Sequence, residues 1–374
     1  MSNTMMTYIK ATPKRISYVA TNSKKFTKRL VDLFLEKDYK RIWLVGCGSS
    51  YNGITCAKPF IEKYLDIDVN LITPNEFMYT NVRVRDDDFV LFFSQSGCST
   101  NTIQAADMFK KTKHKTIGVT GNLKGDLKDH CDEVIDWMCG EETVGFVTIG
   151  LTILILFLMC FAKEAALRKG LISKKQYAEL NKDFDLLPKI YNEIKSNTEK
   201  LIEHNKKEFT SISVMMSIGF AQGFAVSHEG ALKTSETIKK PSLLYEGEEF
   251  AHGPNNALTP NTTCFFIDDE TKGTKRILEL YKATRCITDR AYIVTNSKLV
   301  DDKHAVRHKI VVKEKLLLPI YCLAFYQTIA YIVPEMLNGW GDHPLLKEFK
   351  KIASTKTSTI SKVMPDYVQK KKGN

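Results

Sequence analysis

Two series of short apolar runs, one in each half of the chain, constrain the fold more than any other feature of the sequence. In the first half the runs centre on residues 43, 92, 117 and 135, which lie 49, 25 and 18 residues apart. In the second half they centre on residues 214, 266, 293 and 311, which lie 52, 27 and 18 residues apart. Local sequence agrees, since VTGN at 119–122 corresponds to VTNS at 294–297. The matched spacing predicts an internal duplication of one folding unit.

Continuously apolar strands that alternate with helices are typical of a parallel sheet covered by helices on both faces. Helical patterns do lie between the runs, for example at residues 102–111 and 274–283. The predicted fold class is therefore α/β, with two flavodoxin-like, three-layer α-β-α domains that have parallel sheets. The predicted strands are residues 42–45, 89–93, 116–119 and 133–136, and again 212–216, 264–267, 291–294 and 309–312.

Chain length also supports two domains, because 374 residues exceed what one hydrophobic core usually serves. The polar stretch around residues 183–200 is the expected linker and has a helical pattern, and a further helix is expected near residues 23–36. The predicted divisions are an N-terminal helical extension at 1–37, a first domain at 38–185, a second domain at 186–350, and a C-terminal tail at 351–374.

The net charge of +11 favours anionic partners, and phosphorylated metabolites and nucleic acids both meet that description. The basic residues are scattered, apart from the run at 370–372, which is interpreted as a frayed terminus. The chain has neither zinc-finger spacing nor a basic stretch interleaved with aromatic residues. A phosphorylated small molecule is therefore the expected ligand, and no nucleic-acid partner is expected.

The cysteines and the apolar segments indicate the cellular compartment in which the protein is expected. The nine cysteines form no CxxC motif, and several lie in apolar runs, which is typical of reduced thiols in a cytoplasmic protein. The N-terminus shows no signal-peptide pattern. Residues 146–162 are uncharged, at the short limit for a membrane span, but they contain two threonines and follow two glutamates. We expect a buried helix there, packed between other elements or at a subunit interface, and no membrane contact.

Polar side chains collect at two predicted strand-to-helix turns, GCGSS at 46–50 and SQSGCST at 94–100. In doubly wound folds ligands bind at the carboxyl ends of the strands, and helix N-termini there attract phosphate. Helix capping by Ser99 or Thr100 alone is the simpler interpretation, but capping needs only one such residue. The first turn lacks the dinucleotide-binding fingerprint. The candidate phosphate-binding residues are Gly48, Ser49, Ser50, Ser94, Gln95, Ser96 and Ser99.

A second candidate site comes from the segment EGALKTSE at 229–236. In a helix, Glu229, Lys233 and Glu236 share one stripe, and His252 follows in the motif EFAHGP at 249–254. Two carboxylates, an ammonium and an imidazole are the groups that acid–base chemistry at a sugar carbonyl requires. A solvent-exposed i,i+4 ion pair and a histidine in an ordinary turn are the alternative interpretation.

These motifs together resemble a known family. Gly-Ser-Ser after the first strand, Ser-Gln-Ser-Gly after the second, and the motifs at 229–236 and 249–254 are similar to tandem sugar isomerase (SIS) domains. Over roughly residues 38–350 the chain resembles the isomerase half of glutamine–fructose-6-phosphate aminotransferase and the fructosamine 6-phosphate deglycases.

The resemblance implies roles for individual residues. The serines of the two turns and Gln95 would hold a sugar phosphate, and Thr148 would lie in a sugar-contacting loop at 142–148. Glu236 would move a proton between C1 and C2, and Lys233 and Glu229 would support it. His252 would assist ring opening and can come from a neighbouring subunit, which implies a homo-oligomer, dimer or higher, with a shared active site. No metal or other cofactor is implied.

The chain departs from the family pattern at several positions. Cys98 stands where the aminotransferase commonly has Glu, and Ile149 where it commonly has Lys. Lys347 or Lys350 could supply the missing amine from the C-terminal segment, with the register left open. Because no glutaminase segment precedes residue 38, synthesis of glucosamine 6-phosphate is not expected.

The resulting hypothesis is a catabolic, cytoplasmic phosphosugar isomerase or deglycase. It would act on a 6-phosphorylated amino sugar or fructosamine (Amadori) adduct by C1/C2 proton transfer and release a hexose 6-phosphate and an amine. The alternative is a non-catalytic regulator that binds sugar phosphates through SIS domains. Which amine leaves, which hexose remains, and whether isomerisation, deglycation or deamination occurs stay open at this point.

Overall fold

The computed structural model describes residues 3–301 and 303–364, and these residues form two compact units. Unit 1 contains residues 15–181 and 342–364 together with residues 3–4, and unit 2 contains residues 5–14 and 182–341. Two helices have residues in both units, α1 (Met5–Thr21) and α9 (Lys174–His204). The lysine run at 370–372 lies outside the described residues.

Unit 1 is built on a five-stranded parallel sheet with the order β2-β1-β3-β4-β5. Its strands are β1 (Arg41–Val45), β2 (Asp68–Ile72), β3 (Asp88–Ser94), β4 (Ile117–Thr120) and β5 (Glu133–Asp136). Its helices are α2 (Ser23–Phe26), α3 (Lys28–Phe34), α4 (Ser49–Leu65), α5 (Pro74–Tyr79), α6 (Thr100–Lys110), α7 (Leu127–His130), α8 (Ile149–Lys169), α15 (Leu346–Ile352) and α16 (Ile360–Val363).

Unit 2 has a second five-stranded parallel sheet with the order β7-β6-β8-β9-β10, which corresponds strand for strand to that of unit 1. The predicted α/β fold and its internal duplication are thereby confirmed. Its strands are β6 (Val214–Gly219), β7 (Ser242–Glu246), β8 (Thr262–Ile267), β9 (Ala291–Val294) and β10 (Ala305–Val306). Its helices are α10 (Lys206–Thr210), α11 (Ala221–Ile238), α12 (Gly247–Ala251), α13 (Thr274–Arg285) and α14 (Leu318–Met336), with 3-10 turns at Pro254–Ala257 and Lys315–Leu317.

The central strands explain why the apolar runs were visible in the sequence. Every residue of β3 and of β8 is buried, since helices cover both faces of each sheet. The edge strands β2 and β7 are mostly half-buried, so they lack a continuous apolar run and were not predicted.

The strand predicted at 309–312 is wrong. The edge of the second sheet is formed instead by β10, where Ile293 donates its N–H to His304 and Thr295 donates to Val306. Val312 is buried and Val311 is 57% exposed, so the apolar run at 310–312 contributes to the core without joining the ladder.

Helix α8 contains most of the apolar segment singled out in the sequence, and its residues 149–166 are all buried. Both α8 and α14 are long and apolar enough to span a membrane by length and composition. The most apolar window of α8 is 100% buried within the protein, and that of α14 is 83% buried. α8 therefore has the burial of a core helix, as predicted.

The compact units differ from the predicted domains at three places. The predicted extension at 1–37 is divided between the units, since residues 5–14 belong to unit 2 and residues 15–37 to unit 1. The first unit ends at Asn181, within α9, where the prediction placed the division at 185/186. Residues 342–364 belong to unit 1, whereas the prediction divided them between the second domain and a tail. Hydrogen bonds explain this placement: Thr100 donates its N–H to Thr355, and Thr357 donates to Cys98.

Candidate active site

The first polar turn follows β1 directly. Gly48 has φ +57°, a left-handed conformation that favours glycine, and no atom would block a Cβ there. Helix α4 begins at Ser49, so its first N–H groups lie beside the hydroxyls of Ser49 and Ser50. The sequence thus places two hydroxyls and a helix N-terminus at the carboxyl end of one strand.

The second polar turn follows β3, the neighbour of β1 in the sheet. Ser94 donates its hydroxyl to Ser99 Oγ at 3.0 Å, and the Ser96 hydroxyl accepts from the Cys98 N–H at 3.2 Å. Ser99 is the N-cap residue of α6, but its side chain makes no capping hydrogen bond. Simple capping by Ser99 therefore does not account for the serines of this turn.

The order β2-β1-β3 makes the crevice between β1 and β3 a topological switch point, because the chain leaves β1 toward one side of the sheet and β3 toward the other. Ligands of open α/β sheets bind at such crevices, outside the carboxyl ends of the strands. Both predicted phosphate-binding turns of unit 1 thus emerge at the end of the sheet that this fold uses for ligands.

The sequence did not single out Lys356, which contacts the second turn. It lies in a chain segment at 353–359 that forms an antiparallel bridge with Ser99. Its ammonium donates to Ser99 Oγ at 2.9 Å and to Ser96 Oγ at 3.4 Å. Lys347 and Lys350, which the sequence offered as the C-terminal amine, are instead exposed on α15. Because Lys356 and Ser99 are 257 residues apart in the chain, no local sequence pattern indicates their contact.

Gln95 and Thr148 belong to a network around Glu142, which is 5% exposed. The Glu142 carboxylate accepts the N–H groups of Thr148, Ile149 and Gly150 at 2.8, 3.1 and 3.0 Å, as an acid at a helix N-terminus does. Gln95 Nε2 donates to Glu142 Oε2 at 3.3 Å. Gln95 and Glu142 also line a cavity of about 280 Å³ in unit 1. Here Glu142 positions Gln95, a role that the sequence did not indicate.

In unit 2, α11 carries the predicted stripe. Lys233 Nζ lies 3.4 Å from Glu229 Oε1 and 2.8 Å from Glu236 Oε2. Glu229 and Lys233 are each 1% exposed, whereas the side chain of Glu236 is 37% exposed. The alternative of a solvent-exposed surface pair is therefore wrong for Glu229 and Lys233. The stripe is a buried charge pair that ends in one accessible carboxylate.

Close packing fixes the position of α11. A Cβ on Gly223 would approach the Ile267 carbonyl oxygen, at the end of β8, to 2.4 Å. A Cβ on Gly230 would lie 2.4 Å from the ring of Tyr326 on α14. Larger residues at these positions would push the helix away, so the glycines hold the charged stripe at a fixed distance from the sheet and α14.

The structure places His252 at the end of α12, where its backbone N–H donates to Glu248 at 3.0 Å. The residue is exposed, and within the described part of the chain no hydrogen bond or ion pair joins it to Glu229, Lys233 or Glu236. The three residues of α11 are thus brought together, while His252 lies apart from their charge network.

The turn after β8 corresponds to the serine-rich turn after β3 but has the opposite chemistry. Asp268 accepts the Thr295 hydroxyl at 2.6 Å, and Glu270 pairs with His308 at 2.6 Å and with Lys315 at 2.7 Å. Burial raises the pKa of the neighbouring Asp269 carboxyl. Carboxylates repel anions, so this turn lacks the anion-binding character of the serine-rich turn in unit 1.

Comparison with known proteins identifies relatives of this chain. Residues 37–163 match the model of the SIS domain family. The glutamine–fructose-6-phosphate aminotransferase [isomerizing] of Wigglesworthia glossinidia brevipalpis is 25% identical over 351 residues, which cover 92% of this chain and 55% of that protein. The corresponding protein of Caldanaerobacter subterraneus is 29% identical over 219 residues, 59% of this chain and 36% of that protein. The chain spans about half or less of the length of these relatives.

The same architecture occurs in a solved structure. The C-terminal domain of glucosamine-fructose-6-phosphate aminotransferase from Francisella tularensis superimposes with a TM-score of 0.81. At 19% identity the match covers 92% of this chain and 99% of that chain, so the shared fold includes both units. Residues 37–163 therefore match a SIS domain, and the second unit has a sheet of the same strand order.

Proposed function

We propose that the protein is a phosphosugar isomerase or deglycase of the SIS type. The observation that carries the proposal is the charged stripe of α11, where buried Glu229 and Lys233 support the accessible carboxylate of Glu236. A buried ammonium held against two carboxylates is costly to desolvate, and such charge clusters are more frequent at functional sites. A general base needs an accessible carboxylate whose orientation is fixed, and Lys233 supplies that orientation.

Phosphate recognition is assigned to unit 1. Ser49 and Ser50 on one turn and Ser94, Ser96 and Ser99 on the other offer hydroxyl donors beside the N-termini of α4 and α6. A sugar phosphate monoester has the charge and the oxygen-rich surface that such donors recognise. The absence of the dinucleotide fingerprint favours this ligand over a nucleotide cofactor.

Proton transfer is assigned to Glu236. In a fructosamine 6-phosphate the carboxylate removes a proton from C1, the C–H electron pair forms the C1–C2 double bond, and the C2 carbonyl oxygen takes up a proton from water, which gives an enaminol. Return of the first proton to C2, with loss of the N–H proton to water, leaves an imine at C1. Water then adds to that carbon, and the amine leaves with the hexose 6-phosphate. For a 2-amino sugar the same steps begin at C2 and give an imine at C2, which water hydrolyses to a ketose phosphate and ammonia.

His252 is assigned to ring opening, with the imidazole contributed to the site by a neighbouring subunit. Its exposure supports this assignment, because an exposed histidine is available to another chain. The proposal thus includes a homo-oligomer with shared active sites, acting in the cytoplasm on phosphorylated sugars, without a metal or redox cofactor.

A substrate panel tests the proposal. The purified protein is incubated with fructose 6-phosphate plus ammonia, glucosamine 6-phosphate, and 6-phosphofructosyl- and 6-phosphoglucosyl-amino acids, while hexose 6-phosphates and free amine are measured. Amine release from an amino-acid adduct is the expected result and names the substrate class. Silence across the panel, with phosphosugar binding still visible by thermal shift, would contradict the enzyme proposal and favour the regulator.

A further inference from the structure

The C-terminal segment at 353–364 is part of unit 1 and lies against the second polar turn. Its backbone is joined to the turn on both sides of Lys356, since Thr355 accepts from Thr100 and Thr357 donates to Cys98. Ile360 and Met364 pack against the fully buried Cys98 side chain. The side chain of Lys356 is thereby held over Ser96 and Ser99 by its own backbone and by an apolar anchor beyond it.

The charge of Lys356 is not neutralised within the described part of the chain. Its ammonium contacts only hydroxyl oxygens, and no described carboxylate forms an ion pair with it. Burial lowers the pKa of this group, which shows that its surroundings disfavour the charged form. A half-buried ammonium that contacts only hydroxyl groups has no counter-ion, and a bound anion would stabilise its charge.

The neighbouring groups point to one kind of anion. The hydroxyls of Ser96 and Ser99 can donate to a ligand, as the neighbouring ammonium can. A tetrahedral oxyanion can accept from all of them at once, whereas a neutral sugar hydroxyl cannot balance the charge.

We propose that Lys356 is a phosphate ligand of the substrate site, and that the C-terminal segment thus completes the phosphate-binding turn. The proposal rests on the proposed function, because the phosphate in question is that of the sugar substrate. It goes beyond that function because neither serine turn contains a cationic side chain, and Lys356 would supply one. When phosphate enters, the Lys356 ammonium donates to a phosphate oxygen in place of, or together with, Ser99 Oγ.

If Lys356 blocked the phosphate position instead of binding phosphate, its replacement would change the affinity for phosphate in the opposite direction. A blocking Lys356 ammonium would occupy the phosphate position, so its removal would strengthen binding of the sugar phosphate. As a ligand, its removal weakens binding. The sign of the change therefore separates the two roles.

Calorimetric titration of the full chain with fructose 6-phosphate, inorganic phosphate and unphosphorylated fructose tests the proposal. Lys356→Met is expected to weaken fructose 6-phosphate binding roughly tenfold to hundredfold, the value of a charge-assisted hydrogen bond. Lys356→Arg keeps the charge and is expected to stay within about fivefold of the wild type. Lys362→Met, at an exposed lysine of the same segment, is the matched control and is expected to change nothing.

Thermal unfolding of each variant shows whether the segment still folds, and Lys356→Gln, a polar and uncharged replacement, repeats the test if the Met variant is unstable. Unchanged or tighter binding by both uncharged variants would overturn the role of Lys356 and leave the proposed function standing. A wild-type protein that binds fructose 6-phosphate no better than fructose would instead overturn the proposed function, and this inference with it.

Discussion

At the scale of single residues, burial separates the charged stripe of α11 from an ordinary ion pair. Exposed pairs at i,i+4 contribute little to stability, since solvent screens them. Glu229 and Lys233 have side chains that are each 2% exposed, so removal of one charge leaves the other in a medium that solvates it poorly. The same burial leaves Glu236 as the one member of the stripe that a ligand can reach.

Lys233→Met is expected to lower the free energy of unfolding by about 3–5 kcal/mol, the usual cost of an uncompensated buried charge. Denaturant unfolding measures the change. Lys28→Met is the control, because Lys28 and Asp32 form an i,i+4 pair in which the lysine side chain is 72% exposed, and little change is expected there. Glu229→Met combined with Lys233→Met should recover much of the loss. Equal stabilities for the Lys233 variant and the wild type would show that the pair is solvated.

At the scale of secondary-structure elements, the strand β3 is secured at its first residue. Asp88 accepts from Arg41 Nη2 at 2.6 Å, from the Arg85 N–H at 2.7 Å and from Trp43 Nε1 at 3.1 Å. Burial acts to raise the pKa of the Asp88 carboxyl, but these hydrogen bonds outweigh it and hold the pKa below its ordinary value. The carboxylate thus joins β1 to β3 at the end of the sheet opposite the serine-rich turns.

A lowered pKa in the folded state makes this stabilisation depend on pH. Because the unfolded chain binds the proton more readily, the contribution of Asp88 is complete above the ordinary Asp pKa and is lost as pH falls below about 4. Asp88→Asn is therefore expected to destabilise the protein near neutral pH, with a gap to the wild type that narrows in acid. Urea unfolding between pH 3 and 7 measures the gap, with the exposed Asp185→Asn as control. A gap that stayed constant through acid would contradict the assignment.

Which elements the sequence could predict follows from their place in the sheet. The buried strands β3, β4, β8 and β9 carry uninterrupted apolar runs and were found close to their observed bounds. The edge strands β2 and β7 are mostly half-buried and carry no such run. The serines of the two turns were found because they directly follow the predicted strands β1 and β3. Lys356 could not be found, since only the fold brings residue 356 to residues 96 and 99.

At the scale of the whole molecule, duplication gave two similar units with different chemistry. The turn after β3 presents hydroxyls and the turn after β8 presents carboxylates, on sheets of the same strand order. One unit is thus suited to an anion, and the other supplies the acid–base stripe. In the proposed enzyme the hydroxyls recognise the phosphate and the stripe moves the proton, with His252 contributed by a second copy of the chain.

Shared active sites predict complementation between inactive variants. Glu236→Gln and His252→Ala are each expected to be inactive, whereas their co-expression should restore activity. In a randomly assorted dimer half of the molecules are mixed, and each has one intact site, so roughly a quarter of the wild-type rate is expected. Co-expression that restored no activity would contradict the contribution of His252 by a neighbouring subunit.

The central claim is that Glu236 moves the proton between C1 and C2. Its most direct test is exchange of the C1 and C2 hydrogens of fructose 6-phosphate and glucosamine 6-phosphate in D2O, followed by proton NMR. The wild type is expected to incorporate deuterium, and Glu236→Gln is expected to do so about 100- to 10,000-fold more slowly, while it still binds the phosphosugar. Glu179→Gln, at an exposed glutamate of α9, is the control. Deuterium incorporation by the Glu236 variant at the wild-type rate would contradict the account.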